Sequence, residues 1–403
     1  MNCRFNKACK FTTSHSIRLY RKITSDRIFS NGGFLPDKTV LVFDQNGVLI
    51  DLVDEVDGGD DIQHFNGMLC PGFVNAHCHL ELSYLKGRIE KMTGLKQFVM
   101  SVMGNREEEK DLIEQAIMDA ESEMIANGIV AVGDICNTAN TLKQKRKNKL
   151  YYHSFIELSG FVPASANARF TKGQELLKEF RQAHQTASLV PHAPYSVSED
   201  LMKMICGYET DGILTMHNQE SEEETAFFQN KSGAFLDLYQ QLGVDISFFE
   251  PQQTSSLQQT IPFFPSARKL ILVHNVFTEP KDLFLADAQF SQHPNHLYYC
   301  LCPNANAFIT GEKPPIKMFQ NCHVQLVLGT DSLASNDSLN IWEEIKTIRK
   351  NNPEIPLTET LTWATINGAR SLGVEHRFGS FEKGKTPGYF IINDTEMIFG
   401  NKR

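Results

Sequence analysis

No apolar run in the 403 residues approaches the roughly 20 needed to span a bilayer, so the sequence excludes a transmembrane helix. A paired Cys-x-x-Cys framework is also missing. The nine cysteines, Cys3, Cys9, Cys70, Cys78, Cys136, Cys206, Cys300, Cys302 and Cys322, are odd in number and scattered. They read as reduced thiols, and a cytoplasmic setting is expected. Basic residues are in deficit, 39 against 48 acidic ones, and the net charge of -9 argues against nucleic-acid binding through a broad basic surface. Internal repeats and low-complexity tracts are lacking too, which gives no basis for a repeat or disordered architecture. What remains is an ordinary globular composition, 41% apolar and 22% charged, in a chain long enough for one large domain with a small companion. The expected partner is a small-molecule substrate, with no nucleic acid and no membrane; homodimerisation is left open.

Residues 1–25 carry Arg4, Lys7, Lys10, Arg18, Arg21 and Lys22 with no acid before Asp26, and they lack the apolar stretch of a secretory signal. A flexible basic extension over 1–21 is expected, with an organelle transit sequence or an early start codon as the alternatives. From 22 to 70 the pattern is short and β-like. Asn46-Gly47 stands between two apolar runs, Lys38 to Phe43 and Val48 to Ile50, and is a hairpin signal. A matching fragment at the far end, Tyr389 to Ile392 and then Glu396 to Phe399, predicts a small β-sandwich built from both chain ends, 22–70 and 373–403.

The insert, 71–372, alternates strand-length apolar segments with longer amphipathic stretches such as Glu107 to Asn127, Gly173 to His184, Ser198 to Cys206 and Ser338 to Asn351. Eight strands are expected: Gly72 to His77, Ile129 to Asp134, Tyr151 to Glu157, Ser188 to His192, Ile213 to His217, Leu270 to His274, Leu297 to Cys302 and Gln325 to Asp331. Eight βα units predict an α/β fold, a (β/α)8 TIM barrel. Each strand ends in a residue able to bind metal, move a proton or hydrogen-bond a ligand: His77, Asp134, Glu157, His192, His217, His274, Cys302 and Asp331. In a parallel barrel these ends converge on one face. At the first of them the His-x-His pair, His77 and His79, points two imidazoles to one side of a strand, where they can grip one metal ion.

The segments PGFVNAHCHL (71–80), PHAPYS (191–196), HNQE (217–220), VHN (273–275), CPNAN (302–306) and LGTDSLASN (328–336) occur in this order across most of the chain. In them the sequence resembles the amidohydrolase superfamily, in the metal-dependent branch of cytosine, guanine, adenosylhomocysteine and aminofutalosine deaminases and related chlorohydrolases. Asn367-Gly368-Ala369-Arg370 and the stretch from Gly379 to Gly388 resemble that family's return into its β domain.

The resemblance implies that His77, His79, His217 and Asp331 bind one divalent ion. Three imidazoles and a carboxylate suit Zn2+, while Fe2+ or Mn2+ could occupy a similar site. An ion there acidifies a bound water and supplies hydroxide near neutral pH. Glu220 is then the proton shuttle, with a solvated loop acid as its alternative because Glu222, Glu223 and Glu224 follow. His274 hydrogen-bonds the attacking oxygen, and Asp331 helps move a proton to the departing amine. The fourth strand ends in His192 with no lysine at a comparable position, which favours one metal over two. His192, Glu81, Glu157, Asn304 and Asn306 are the substrate-binding candidates. Glu81 is alternatively a buried acid paired with Lys86 or Arg88, and His192 a structural strand-end residue. The region from Phe227 to Pro265, between strands five and six, either covers the pocket or is ordinary packing.

The expected activity is hydrolytic deamination of a small amino-heterocycle, with a 6-aminopurine nucleoside type preferred. A cyclic-amide hydrolase or chlorohydrolase of the same superfamily is the alternative, and a barrel without chemistry a further one. The other zinc deaminase signature, His-x-Glu followed by Pro-Cys-x-x-Cys, is met only in its first half by His79-Leu80-Glu81.

Overall fold

Strand-length runs with almost no polar interruption, such as Leu270–His274 (LILVH) and Leu297–Leu301 (LYYCL), suit a parallel sheet covered on both faces, and all their residues are buried. The structure, a computed structural model, describes residues 20–105, 108–392 and 397–399. The expected basic extension falls mostly outside the described residues.

Five strands precede the barrel: β1 (Arg21–Ser30), β2 (Gly33–Phe34), β3 (Thr39–Phe43), β4 (Leu49–Asp54) and β5 (Ile62–Pro71). The eight expected barrel strands follow as β6 (Phe73–Cys78), β7 (Ile129–Cys136), β8 (Tyr151–Leu158), β9 (Thr186–Pro191), β10 (Leu214–Asn218), β11 (Leu270–His274), β12 (Leu297–Leu301) and β13 (Leu326–Leu328). The last two are β14 (Tyr389–Ile392) and β15 (Met397–Phe399).

Strands β6 to β9 and β10 to β13 form two four-stranded parallel sheets in sequential order. Backbone hydrogen bonds join them into a ring at both seams. The His217 amide donates to the His192 carbonyl at 2.8 Å, and the Thr330 and Asp331 amides donate to the His77 carbonyl at 3.0 and 3.2 Å. The protein is therefore a TIM barrel. Strand β9 stops at Pro191, so His192 lies one residue beyond it, and β13 stops at Leu328, short of Asp331, whose φ is 56°. Amphipathic helices surround the ring. Ile341–Asn351, for example, is capped by Asn340, buries Ile341, Ile345 and Ile348, and places acids in its first turn and bases in its last.

Both chain ends pair in one further sheet, ordered β15-β14-β5-β1-β3-β4 with β2 on β1. The hairpin expected at Asn46-Gly47 joins β3 to β4, with Asp44 accepting from the amides of Asn46 and Val48. Ile23, Leu41, Phe43, Leu69, Tyr389 and Ile391 belong to a small core of this sheet. Gly72 alone separates β5 from β6, and a Cβ there would lie 2.4 Å from Val130 and 2.9 Å from the Pro387 carbonyl. No helix among the described residues is long and apolar enough to cross a membrane.

Closure at the β13–β6 seam depends on Gly329, where a Cβ would approach the His77 Cβ at 2.8 Å and the His77 carbonyl at 2.9 Å. Gly329→Ala is expected to destabilise the protein by about 1–3 kcal/mol through overpacking and to weaken metal retention with it. Chemical unfolding and metal analysis check this; wild-type stability in the variant would show that the seam is looser than described.

Candidate metal centre

Strand β6 delivers His77 at its penultimate position and His79 one residue beyond its end. Their Nε2 atoms lie 3.2 Å apart, and His79 Nε2 is also 3.2 Å from His217 Nε2 at the end of β10. Asp331 Oδ1 stands 3.6 Å from His77 Nε2 and 3.4 Å from His79 Nε2. All four side chains are buried. Four donors about 2.0–2.1 Å from one tetrahedral ion would be separated by about 3.3 Å. The observed spacings of 3.2, 3.4 and 3.6 Å fit such an ion.

The protonation pattern agrees. The His217 Nδ1–H donates to the His192 carbonyl at 2.9 Å, which leaves the Nε2 lone pair facing the cluster. Burial holds His217 well below its ordinary pKa and brings His79 down to about 4, so these rings are neutral, as ligation would require. Burial alone would raise Asp331, but the facing His77, His79 and His274 outweigh it and hold the carboxyl well below the usual range. The second oxygen of Asp331 accepts from the Ser335 hydroxyl at 2.6 Å, leaving Oδ1 for the cluster.

Asp134, at the end of β7, does not join this group. Its Oδ1 accepts from the Leu80 amide at 2.8 Å, which pins the residue following His79. Its Oδ2 lies 2.6 Å from the ammonium of Lys145, and both side chains are fully buried. Sequence reasoning missed Lys145, which sits among Lys143, Arg146 and Lys147 and resembles any solvated basic run. Cys302, at the end of β12, is likewise buried and outside the cluster, with burial pushing its thiol well up.

Glu220 is buried, with Oε1 3.5 Å from His274 Nε2. Burial, reinforced by Asp331 and Glu224, pushes its carboxyl well above the usual range. The solvated alternative is not what the structure shows. Glu224 is buried as well and accepts from the Gln219 amide at 3.1 Å and from the Ser256 hydroxyl. Asn306 Nδ2 faces His274 Nδ1 at 3.1 Å, and an N–H donated there leaves the His274 proton on Nε2, toward Glu220. Burial lowers His274 to about 3, so the ring is a neutral donor.

The remaining candidates divide. Glu157 is buried and Oε1 lies 3.5 Å from His217 Nδ1, while Oε2 accepts from Asn137 Nδ2 at 3.0 Å. His192 is half-buried beside His217, with ring centroids 4.8 Å apart, and its Nδ1 meets the Ser196 hydroxyl at 2.6 Å. Glu81 is buried but accepts from the Asn137 amide and from both the amide and hydroxyl of Thr138. The alternative pairs do not form, since Lys86 meets Glu123 and Arg88 meets Glu108. Asn304 is turned aside: its Oδ1 accepts from the Thr347 hydroxyl at 2.6 Å, on helix Ile341–Asn351. In the region from Phe227 to Pro265, Phe249 stacks on Phe227 at 4.6 Å and Phe264 is fully buried, whereas Phe248 is exposed. Packing accounts for most of these aromatics. Asn137, which joins Glu81 to Glu157, had no sequence signal beyond its place after β7.

Residues 68–402 match the sequence profile of the Amidohydrolase family. The chain is 27% identical over 345 residues to an adenosine deaminase of Helicobacter pylori, covering 83% of this chain and 80% of that one. Among solved structures it resembles the H. pylori aminofutalosine deaminase in complex with methylthio-coformycin, with a TM-score of 0.79, 23% identity and 93% of each chain covered. It also resembles an adenosine deaminase from Xanthomonas campestris with bound zinc, with a TM-score of 0.71, 20% identity, 92% of this chain and 83% of that chain covered.

Protein loaded with zinc and dialysed is expected to keep about one ion per chain, as a single four-ligand site requires. His217→Ala and Asp331→Ala should each weaken retention by at least about tenfold, the scale of losses at metal sites, while circular dichroism stays unchanged. Wild-type metal content in both variants would remove the cluster as the binding site.

Proposed function

The chain belongs to the amidohydrolase family, and from that premise we propose that it is a hydrolytic deaminase releasing ammonia from an adenine nucleoside. The observation that carries this reading is the buried pair Glu220–His274, 3.5 Å apart and made up of a carboxyl pushed up and an imidazole pushed down. Its relatives in name, an adenosine deaminase and an aminofutalosine deaminase, support the adenine nucleoside class.

His77, His79, His217 and Asp331 would hold one divalent ion, with zinc favoured by the nitrogen-rich donor set and by its presence in the X. campestris relative. Such an ion, when bound, makes water acidic enough to attack near neutral pH. Glu220 takes a proton from the attacking water and delivers it to the ring nitrogen beside the carbon that bears the amino group. Its raised pKa suits both halves of that transfer. The His274 Nε2–H donates to the oxygen that gains negative charge. A new carbon–oxygen bond forms, the exocyclic carbon–nitrogen bond breaks, and Asp331 assists the proton that leaves with ammonia. His192 and Glu157 flank His217 and are the side chains proposed to bind the nucleoside, with Glu81 shaping the adjoining loop. We further propose that the chain ends, 22–70 and 373–403, form a separate β-sandwich, and that the enzyme works in the cytoplasm on a small-molecule substrate.

Ammonia release by zinc-loaded protein across adenosine, 5'-deoxyadenosine, 5'-methylthioadenosine, aminofutalosine, guanine, cytosine and aminotriazines tests the reading. Turnover is expected within the adenine nucleosides, and Glu220→Gln should reduce it about 10²–10⁴-fold, the contribution of a positioned proton carrier, at unchanged metal content. Silence across the panel with metal bound would overturn it.

A further inference from the structure

Glu220 follows a residue held in a left-handed backbone conformation, Gln219, whose φ is 48°. That turn is secured from two sides by buried carboxylates. Glu224 accepts from the Gln219 amide at 3.1 Å and, more weakly, from the Glu220 amide at 3.4 Å. Asp282, fully buried on the helix that follows β11, accepts from Gln219 Nε2 at 2.8 Å. The Gln219 Oε1 in turn accepts from the Thr278 hydroxyl at 2.7 Å, and its carbonyl accepts from the Phe277 amide at 2.9 Å.

Asp282 receives more than a helix cap needs. It caps its own helix by accepting from the Glu279 amide at 2.9 Å, which uses one contact. Three others converge on it: Gln219 Nε2, the Ser255 hydroxyl at 2.6 Å and Gln258 Nε2 at 2.8 Å. None of these four donors is a cation. Only one of the four contacts serves the helix end, so capping alone does not account for their convergence. Its contacts draw together the loop after β10, which carries Glu220, and the segment after β11, the strand that ends in His274.

We propose that Asp282 and Gln219 are positioning residues for the proton carrier, fixing Glu220 against His274 through a hydrogen-bonded brace between the two loops. This rests on the role given above to Glu220. The brace touches none of the reacting atoms. It sets the φ-strained turn from which the Glu220 side chain departs, and a displacement of about 1 Å at a proton-transfer group costs on the order of 100-fold in rate.

The test uses the zinc-loaded full chain with Gln219→Met, which removes the amide at similar volume, and Asp282→Asn, which leaves one carbonyl oxygen for four donors. Crystal structures are expected to show the Glu220 carboxylate of Gln219→Met moved away from His274, with His77, His79, His217 and Asp331 superimposable on the wild type. With 5'-methylthioadenosine and adenosine as probes, kcat should fall about 100-fold at unchanged KM and metal content. Added to Glu220→Gln, neither substitution should lower turnover further. An unmoved Glu220 in Gln219→Met, or a loss that multiplies that of Glu220→Gln, would overturn the brace. Should Asp282→Asn fail to fold, Gln219→Met decides alone. If Glu220→Gln keeps wild-type turnover, the shuttle role fails independently, and the position of Glu220 in the crystal still decides whether the brace sets it.

Discussion

Crowding three imidazole lone pairs and a carboxylate oxygen within 3.2–3.6 Å of their neighbours, away from water, is unfavourable until a cation joins them. The fold must hold this arrangement against both repulsion and desolvation. Backbone register does the first part. His217 is fixed by its amide and its Nδ1, both bonded to the His192 carbonyl across the β9–β10 seam. Asp331 is fixed by its amide on the His77 carbonyl across the β13–β6 seam. The two joins that close the barrel are thus the two that place His217 and Asp331 in the cluster, and opening either seam would displace one of them.

A second set of buried acids holds what the sheet cannot. Asp134, neutralised by Lys145, pins Leu80 after His79. Glu344 accepts from the Asn304 amide and from Asn336, which also donates to the Thr330 carbonyl, so the loops after β12 and β13 are tied to one helix beside Asp331. Burial raises Glu344 to about 8, which lets it be neutral while Asp331 stays ionised nearby. Each of these carboxyls binds backbone amides or side-chain donors from a neighbouring loop. In a water-poor interior the donors these carboxyls receive have no water to turn to instead, so each carboxyl ties down the loop that supplies its donors.

The residues that were legible in the sequence are those governed by strand periodicity and motif spacing. His77, His79, His217 and Asp331 fall where a strand ends, and eight such ends in succession defined the ring before any contact was known. Glu220 was legible through its spacing from His217, although its acidic neighbours gave no sign that Glu224 would be buried too. Asn304 and Asn306 diverge for a physical reason: two asparagines two apart at the start of a helix face different directions, so Asn306 turns toward His274 while the Asn304 Oδ1 turns to Thr347. Asn137 and Asp282 were invisible because their partners lie in other βα units or loops, and Lys145 because only the fold turns it back onto Asp134 of the preceding strand. A lysine in a basic run and an aspartate in a helix's first turn have solvated readings that only the tertiary structure removes.

The same distinction explains why chemistry is easier to read here than specificity. The proposed reacting groups come from strand ends and their register, so a few motifs locate them. The side chains proposed for recognition lie at the end of β8 and in the loops after β6, β7 and β9, where Glu81 and Glu157 are linked through Asn137, and His192 leans on Ser196. Those side chains satisfy one another, and their directions depend on loop conformations that no short pattern encodes. Glu157 still has Oε1 without a close hydrogen-bond partner while Oε2 is engaged. A buried acceptor oxygen in that state favours a ligand hydroxyl or amine, which can donate to it, over a ligand group that can only accept. The hydroxyl-rich sugar of a nucleoside supplies such a donor, and a free base supplies fewer. The nucleoside class drawn from the deaminase relatives is thus matched by the unpaired oxygen of one strand-end acid, which the sequence could name but could not orient.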